Sequence, residues 1–337
     1  MSKRLWVLPV LAALLVAGSG VGYAIPSLGG PTGVVSLPNA LVAPVGELQT
    51  ALSYQKMTTP SPEVTDFNLV EAADMYWTGT GGDTVQVPED VNAWSLQALA
   101  GVADGAELWA AYSKDNSILD RTIWGIGGKY RVVTEATSGA AFAIGASYQS
   151  GKGDANVPWL FNVDFYDPAT PDESLAALSA FDIDAKVTKL YGVVTKDFAS
   201  MTGSEWSPGS KLLGSLGLMY LKLSEDTVVV TTIPDGDLID IDPNTVTDSF
   251  AFDESLFRPF VAVQWISADK TYLGLEYRWK DDDLDASAVF SAVLGHDFGN
   301  GFSGEVGTTN ADQFGLGLDD QNWFARVGYT FATGEGW

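Results

Sequence analysis

The sequence predicts an all-β chain, a transmembrane antiparallel up-and-down β-barrel of about 12 strands, with about 10 to 14 compatible with the same spacing. Three observations predict it. Apolar and small or polar residues alternate in segment after segment of about eight to eleven residues, the length a tilted strand needs to cross a bilayer. The connections between these segments are unequal, and every long one falls on the same side. Aromatic residues collect at the segment ends, as they do at membrane interfaces. The segment 322–331, NWFARVGYTF, has all of this: Trp323, Ala325, Val327, Tyr329 and Phe331 share one face, and Asn322, Arg326, Gly328 and Thr330 the other.

At the start of the chain, Lys3 and Arg4 precede an apolar run from Leu5 to Ala17, and small residues follow to Ala24. This reads as a secretory signal over residues 1–24, too short in its apolar core to span a membrane. Residues 25–46, rich in Gly and Pro, read as a periplasmic lead-in or plug, and 47–337 as the barrel. With no cysteine, disulfides, thiolate metal sites and a Cys nucleophile are excluded. A net charge of -25 argues against nucleic acid as a partner, which needs Lys and Arg to neutralise phosphate. No later segment is apolar for long enough to be a membrane helix, so a membrane form must be built of strands.

In order, strands are expected near 48–55, 91–101, 106–114, 121–134, 140–149, 183–196, 212–222, 257–266, 271–280, 286–296, 302–309 and 322–331. The clearest are the fourth, where Trp124, Ile126, Tyr130 and Val132 oppose Gly125, Gly127, Lys129 and Arg131, and the ninth, where Leu273, Leu275, Tyr277 and Trp279 oppose Glu276, Arg278 and Lys280. The sixth is the least regular, since Lys186 and Lys189 fall on opposite faces. Residues 57–90, 151–182 and 224–254 read as long acidic loops holding about half of the 43 acidic residues. Within the second, Val157, Trp159, Phe161, Val163 and Phe165 alternate, which fits either an extra strand or an inward-folded constriction. A soluble β-sandwich would also alternate. It would, however, leave Gly125, Gly127, Gly145 and Ser147 as its exterior, while nearly every segment has one uncharged face.

Gly30, Gly33, Pro38, Asn39 and Ala40 give the lead-in a resemblance to the opening of YjbH-like outer-membrane barrel proteins associated with exopolysaccharide export. Asn39 stands where Ser or Thr is expected. The last strand, with Arg326, Gly328, Tyr329 and Phe331, resembles the C-terminal insertion signal of porin-like outer-membrane barrels. That likeness implies barrel-insertion machinery as a partner, although Ala332 to Gly336 intervene before Trp337.

Trp94, Tyr112, Trp124, Tyr148, Tyr277, Trp279 and Trp323 are expected in an outer aromatic girdle, and Trp265, Tyr329 and Phe331 in an inner one. The lumen-lining charges are Lys129, Arg131, Arg258, Glu276, Arg278, Lys280, Glu305 and Arg326. Basic residues prevail among them, which fits either an anion-favouring lumen or pairing, as of Arg326 with Glu305. Asp235, Asp237, Asp240 and Asp242 have a spacing that could serve a divalent cation, but the Gly and closing bidentate Glu of a Ca²⁺ loop are missing. His296, the one histidine, falls at the inner rim rather than where a Ser-His hydrolase site would open outward. The chain is therefore expected to be no enzyme, to need no cofactor and to bind no structural metal. The expected function is an outer-membrane channel for passive transport of small hydrophilic solutes, anions included. The alternative is a non-conducting barrel for envelope structure or exopolysaccharide export, with an outer-membrane hydrolase third; the other expected partner is outer-membrane lipid.

Overall fold

The computed structural model describes residues 31, 33–58, 90–116, 121–163, 173–199, 209–232, 245–280, 287–311 and 317–332. The expected signal segment, most of residues 57–90 and the aspartates 235, 237, 240 and 242 lie outside them.

Twelve strands close into one antiparallel barrel: β1 (Glu47–Thr58), β2 (Asp90–Ala103), β3 (Ala106–Asp115), β4 (Thr122–Val133), β5 (Ala141–Val163), β6 (Glu173–Asp197), β7 (Lys211–Thr232), β8 (Thr245–Ile266), β9 (Thr271–Arg278), β10 (Val289–Gly299), β11 (Phe302–Ala311) and β12 (Gly317–Ala332). Each pairs with its sequence neighbours, and β12 closes the ring on β1, from Glu47 opposite Ala332 to Lys56 opposite Trp323. A closed ladder satisfies every strand edge internally, as a bilayer requires. The one helix described, α1 (Glu135–Ser138), is a single turn between β4 and β5.

Parity is inside-out relative to a soluble protein. Along β9, Leu273, Leu275 and Tyr277 are exposed while Tyr272, Glu276 and Arg278 are buried. The same alternation exposes Leu96, Leu108, Ile126, Ile144, Leu190, Leu216, Leu218, Val263, Leu294, Val306 and Val327 around the wall, and buries Gln49, Gln97, Lys129, Gln149, Arg258, Glu305 and Arg326. A continuous apolar exterior around a charged interior is what lipid on the outside demands.

Rings in contact mark both edges of this belt. At the end where β1 finishes, Tyr54 packs against Trp94 at 4.7 Å and Trp323 at 5.3 Å, Trp124 against Tyr148 at 5.5 Å, and Tyr277 against Trp279 at 5.0 Å. Tyr112 stands opposite Trp124. At the other end, Phe302 meets Tyr329 at 6.3 Å and Tyr329 meets Phe331 at 4.6 Å, while Trp265 is exposed on β8. Tyr329 is buried by its aromatic neighbours rather than presented to lipid.

The short connections share the second end: Asp104-Gly105, residues 267–270 and Asn300-Gly301. Gly105 (φ 74) and Gly301 (φ 80) take the left-handed conformation these tight turns require. In the 267–270 turn, the Ser267 hydroxyl and the Thr271 N–H both donate to Asp269, and these bonds hold its carboxyl below the usual range.

Four strands are longer than expected. β5, β6, β7 and β8 run 23, 25, 22 and 22 residues. At about 3.3 Å per residue, each extends roughly 40 Å past the ten or so residues that cross the bilayer. The alternation at Val157 to Val163 is thus neither an extra strand nor an inward fold but the continuation of β5, paired to β6 from Val157 opposite Ser179 to Val163 opposite Glu173. Much of the supposed acidic loop 224–254 is likewise paired strand, Ser224 opposite Asp253 and Thr232 opposite Thr245. Lys186 and Lys189 fall on opposite faces because β6 is regular there: Lys189 is buried in the wall, and Lys186 joins surface carboxylates.

Candidate functional site: the plugged lumen

The described part of the lead-in lies inside the barrel rather than in the periplasm below it. Its Gly and Pro content, read from sequence as irregular structure, builds a tight turn. Gly33 bridges Pro38, and the Val34 N–H donates to the Leu37 carbonyl at 3.1 Å. A Cβ on Gly33 would fall 2.1 Å from that carbonyl oxygen, so only glycine permits the closure.

The turn leaves three consecutive main-chain donors pointing one way, an arrangement that binds anions. Glu276 of β9 fills it. Its carboxylate accepts from Val35 N–H at 3.0 Å, Ser36 N–H at 2.8 Å, Leu37 N–H at 3.1 Å and the Ser36 hydroxyl. From there the chain crosses the lumen. The Ala40 N–H donates to Thr195 Oγ1 on β6 at 2.8 Å, Lys129 Nζ on β4 donates to the Asn39 carbonyl at 3.0 Å, and the Ala43 N–H donates to Glu107 Oε2 on β3 at 3.0 Å. Gly46 then joins β2 through its N–H to the Gly101 carbonyl at 2.9 Å. Gly101 admits this approach, since a Cβ there would sit 1.9 Å from the Pro44 oxygen.

Apolar contacts fill the spaces between these anchors. Val34 and Val35 cluster with Ala262, Val293 and Phe324; Leu37 and Ala40 with Tyr191, Met219 and Phe260; Ala43 with Leu99 and Trp109; and Leu41 packs near Leu213 and Tyr272. Val35, Leu37 and Ala40 are 0 % exposed, so plug and wall enclose these side chains completely.

Most of the lumen charges expected from sequence are inward and buried: Lys129, Arg258, Glu276, Arg278, Glu305 and Arg326. They are largely engaged. Arg326 Nε donates to Glu305 Oε2 at 2.7 Å, its Nη2 reaches the same oxygen, and the Tyr272 hydroxyl donates to Oε1. Lys129 sits 3.1 Å from Glu107, both side chains fully enclosed. Arg131 faces inward only at the inner rim, half-buried and 3.9 Å from Asp104. Lys280 is a correction. It lies past the end of β9 and is exposed, because the strand stops at Arg278. Arg258 lies diagonal to Arg278, one inward position past Phe260, which stands opposite Arg278.

Thr195 was not picked out from sequence. Glu107 was legible as an inward carboxylate, but nothing marked either residue as an anchor for residues 40–43. His296 takes the rim position expected of it, bonded through Nδ1 to the Thr271 hydroxyl at 2.9 Å and stacked edge-on against Phe298.

A closed twelve-stranded barrel with an apolar exterior and an internal plug from its own chain defines a transmembrane barrel. No protein-family model matches the sequence, and no curated protein matches it. Among solved structures, the chain is similar to the translocator domain of the autotransporter NalP from Neisseria meningitidis, at 14% identity and a TM-score of 0.44 over 86% of this chain and 88% of that one. It is also similar to a Pseudomonas aeruginosa FadL homologue, at 10% identity and TM-score 0.37 over 94% and 100%. A third is the Ralstonia pickettii toluene transporter TbuX, at 7% and 0.34 over 86% and 90%. The YjbH-like resemblance of residues 30–40 has no counterpart among these.

Proposed function

We propose that the chain is an outer-membrane transport barrel for small hydrophilic solutes, closed at rest by its own residues 33–46. The observation that carries this is the seat of Glu276, a wall carboxylate holding three consecutive N–H groups of the plug. A passive, permanently open pore is not what this geometry favours. The β5–β8 extension lies at the end opposite the short turns, which in outer-membrane barrels is the cell exterior. The plug enters from the short-turn end, where β1 begins.

Solute preference follows from what the plug leaves behind. With it gone, the wall keeps Glu276, Arg278 one inward step further along β9 and Arg258 on the neighbouring β8, while Arg326–Glu305 and Lys129–Glu107 remain paired. The excess is positive and small, so anions are preferred modestly. In a planar bilayer with a salt gradient, the chain lacking residues 25–43 is expected to give a reversal potential of anion-selective sign. A cation-selective potential would refute this lumen.

A second reading is a non-conducting barrel serving envelope structure or exopolysaccharide export. The tight filling of the lumen around Leu37 and Ala40 favours it, as does the YjbH-like opening. Neither reading uses an active site, and His296, committed to Thr271, is read as a rim anchor.

A further inference from the structure

We infer that the outer rim carries a docking arc for the phosphate groups of outer-leaflet lipid, built from Lys56, Lys114, Lys152, Lys186 and Lys222. The inference goes beyond the transport reading and needs only that the apolar face sits in lipid.

The arc is visible only when parity and register are combined. On β1, β3 and β7 the outward positions run Tyr54 then Lys56, Tyr112 then Lys114, and Tyr220 then Lys222, each lysine one outward step beyond a tyrosine. On β5, Tyr148 is followed two outward steps later by Lys152. On the descending strand β6, Lys186 precedes Leu190 by the same interval. Register joins them. Lys56 stands opposite Trp323, Lys114 opposite Trp94 and Thr122, and Thr122 opposite Lys152. Lys114 and Lys152 therefore flank Thr122 two strands apart, roughly 10 Å.

Charge makes the placement informative. The chain has 18 Lys and Arg against 43 Asp and Glu, yet five lysines occupy this one zone, on the face turned to lipid. A solvated acidic surface would not concentrate its scarce cations there. Lysine stems lie well on apolar surface while the ammonium reaches the headgroup layer.

Neighbouring carboxylates do not close the arc. Asp184 lies 3.8 Å from Lys152 and 3.5 Å from Lys186, and Asp226 lies 3.9 Å from Lys186. Lys222–Asp253 is nearer, at 3.1 Å. The lysine side chains of these pairs stay open to the surface, Lys152 at 75%, Lys186 at 40% and Lys222 at 48% exposed. Pairs of this kind are weak and yield to a stronger anion. A lipid phosphate, with more than one acceptor oxygen and a position fixed by its acyl chains, is such an anion.

The test uses the full chain folded in detergent and native mass spectrometry with diphosphorylated lipid A. Replacing all five lysines with Gln is expected to lower bound-lipid occupancy on the order of tenfold or more. Lys196→Gln with Lys211→Gln, at the opposite rim, is expected to leave it unchanged. Parent binding should fall similarly when the lipid is dephosphorylated, and inorganic phosphate at equal concentration should not compete. Should the fivefold variant lose its folded gel mobility, the pair Lys114→Gln and Lys152→Gln carries the test, with several-fold weaker binding expected. Equal binding by the variants, equal binding of dephosphorylated lipid, or an equal loss in the Lys196/Lys211 control would overturn the arc.

Discussion

Removing residues 25–43 is expected to turn a silent barrel into a conducting one. The barrel does not depend on the plug for its closure, because the β1–β12 ladder runs unbroken from Glu47 opposite Ala332 to Lys56 opposite Trp323. What the plug supplies is occupancy of the lumen, through Val34, Leu37, Ala40 and Ala43 and the bonds to Glu276, Thr195, Lys129 and Glu107. Single-channel recording should show no steps for the parent and resolved steps for the deletion. Glu276→Gln is the finer probe. A carboxylate accepts from all four donors of the turn, whereas an amide has one acceptor oxygen and turns an NH₂ group toward N–H groups. Charge-assisted bonds to a buried carboxylate contribute about 1.5–3 kcal/mol each, so losing even part of this seat should give frequent openings. A deletion variant that inserts and stays silent would favour the non-conducting reading.

Arg326→Ala is expected to cost about 3–5 kcal/mol of stability, because it leaves the buried Glu305 without its cation, with the Tyr272 hydroxyl still donating to it. The pair joins β11 directly to β12, the strand that closes the ring on β1, with Glu305 opposite Arg326. Urea unfolding of barrels in lipid vesicles should place Arg326→Ala well below the parent. The double replacement Arg326→Met with Glu305→Leu should recover most of the difference, since two apolar side chains of similar size leave no orphaned charge. A single variant as stable as the parent would show that the pair is solvated rather than enclosed.

Strand parity was legible because lipid on one side and a packed lumen on the other force strict alternation. On β12, and on β9 as far as Arg278, that alternation alone separated outward from inward residues, and neighbouring strands made Arg326 and Glu305 candidate partners. The β5–β8 extensions were hidden for the complementary reason. Beyond the bilayer neither face needs to be apolar, so Ser224 to Asp226 and Ala251 to Glu254 carry no period and read as loop although they are paired strand. Lys280 was misplaced because parity was carried two residues past the point where β9 ends. The location of the lead-in was illegible for a different reason. Gly33 and Pro38 announce a turn, but the turn is fixed in space by Glu276, some 240 residues away, and local sequence holds no trace of that contact.

The central claim, that residues 33–46 close the lumen, is tested most directly by stapling them to the wall. A Cβ built on Gly274 of β9 lies 3.8 Å from the Val34 Cβ, the mean separation of a disulfide, and the chain has no cysteine to compete. Val34→Cys removes the methyl that would crowd the new Cβ, and the Val293 methyl 2.9 Å away need only turn aside. In the Val34→Cys, Gly274→Cys variant that also carries Glu276→Gln, oxidation is expected to form the disulfide and silence the barrel, and reduction is expected to restore openings. No disulfide under oxidising conditions, or conductance indifferent to reduction, would contradict a plug seated in the lumen.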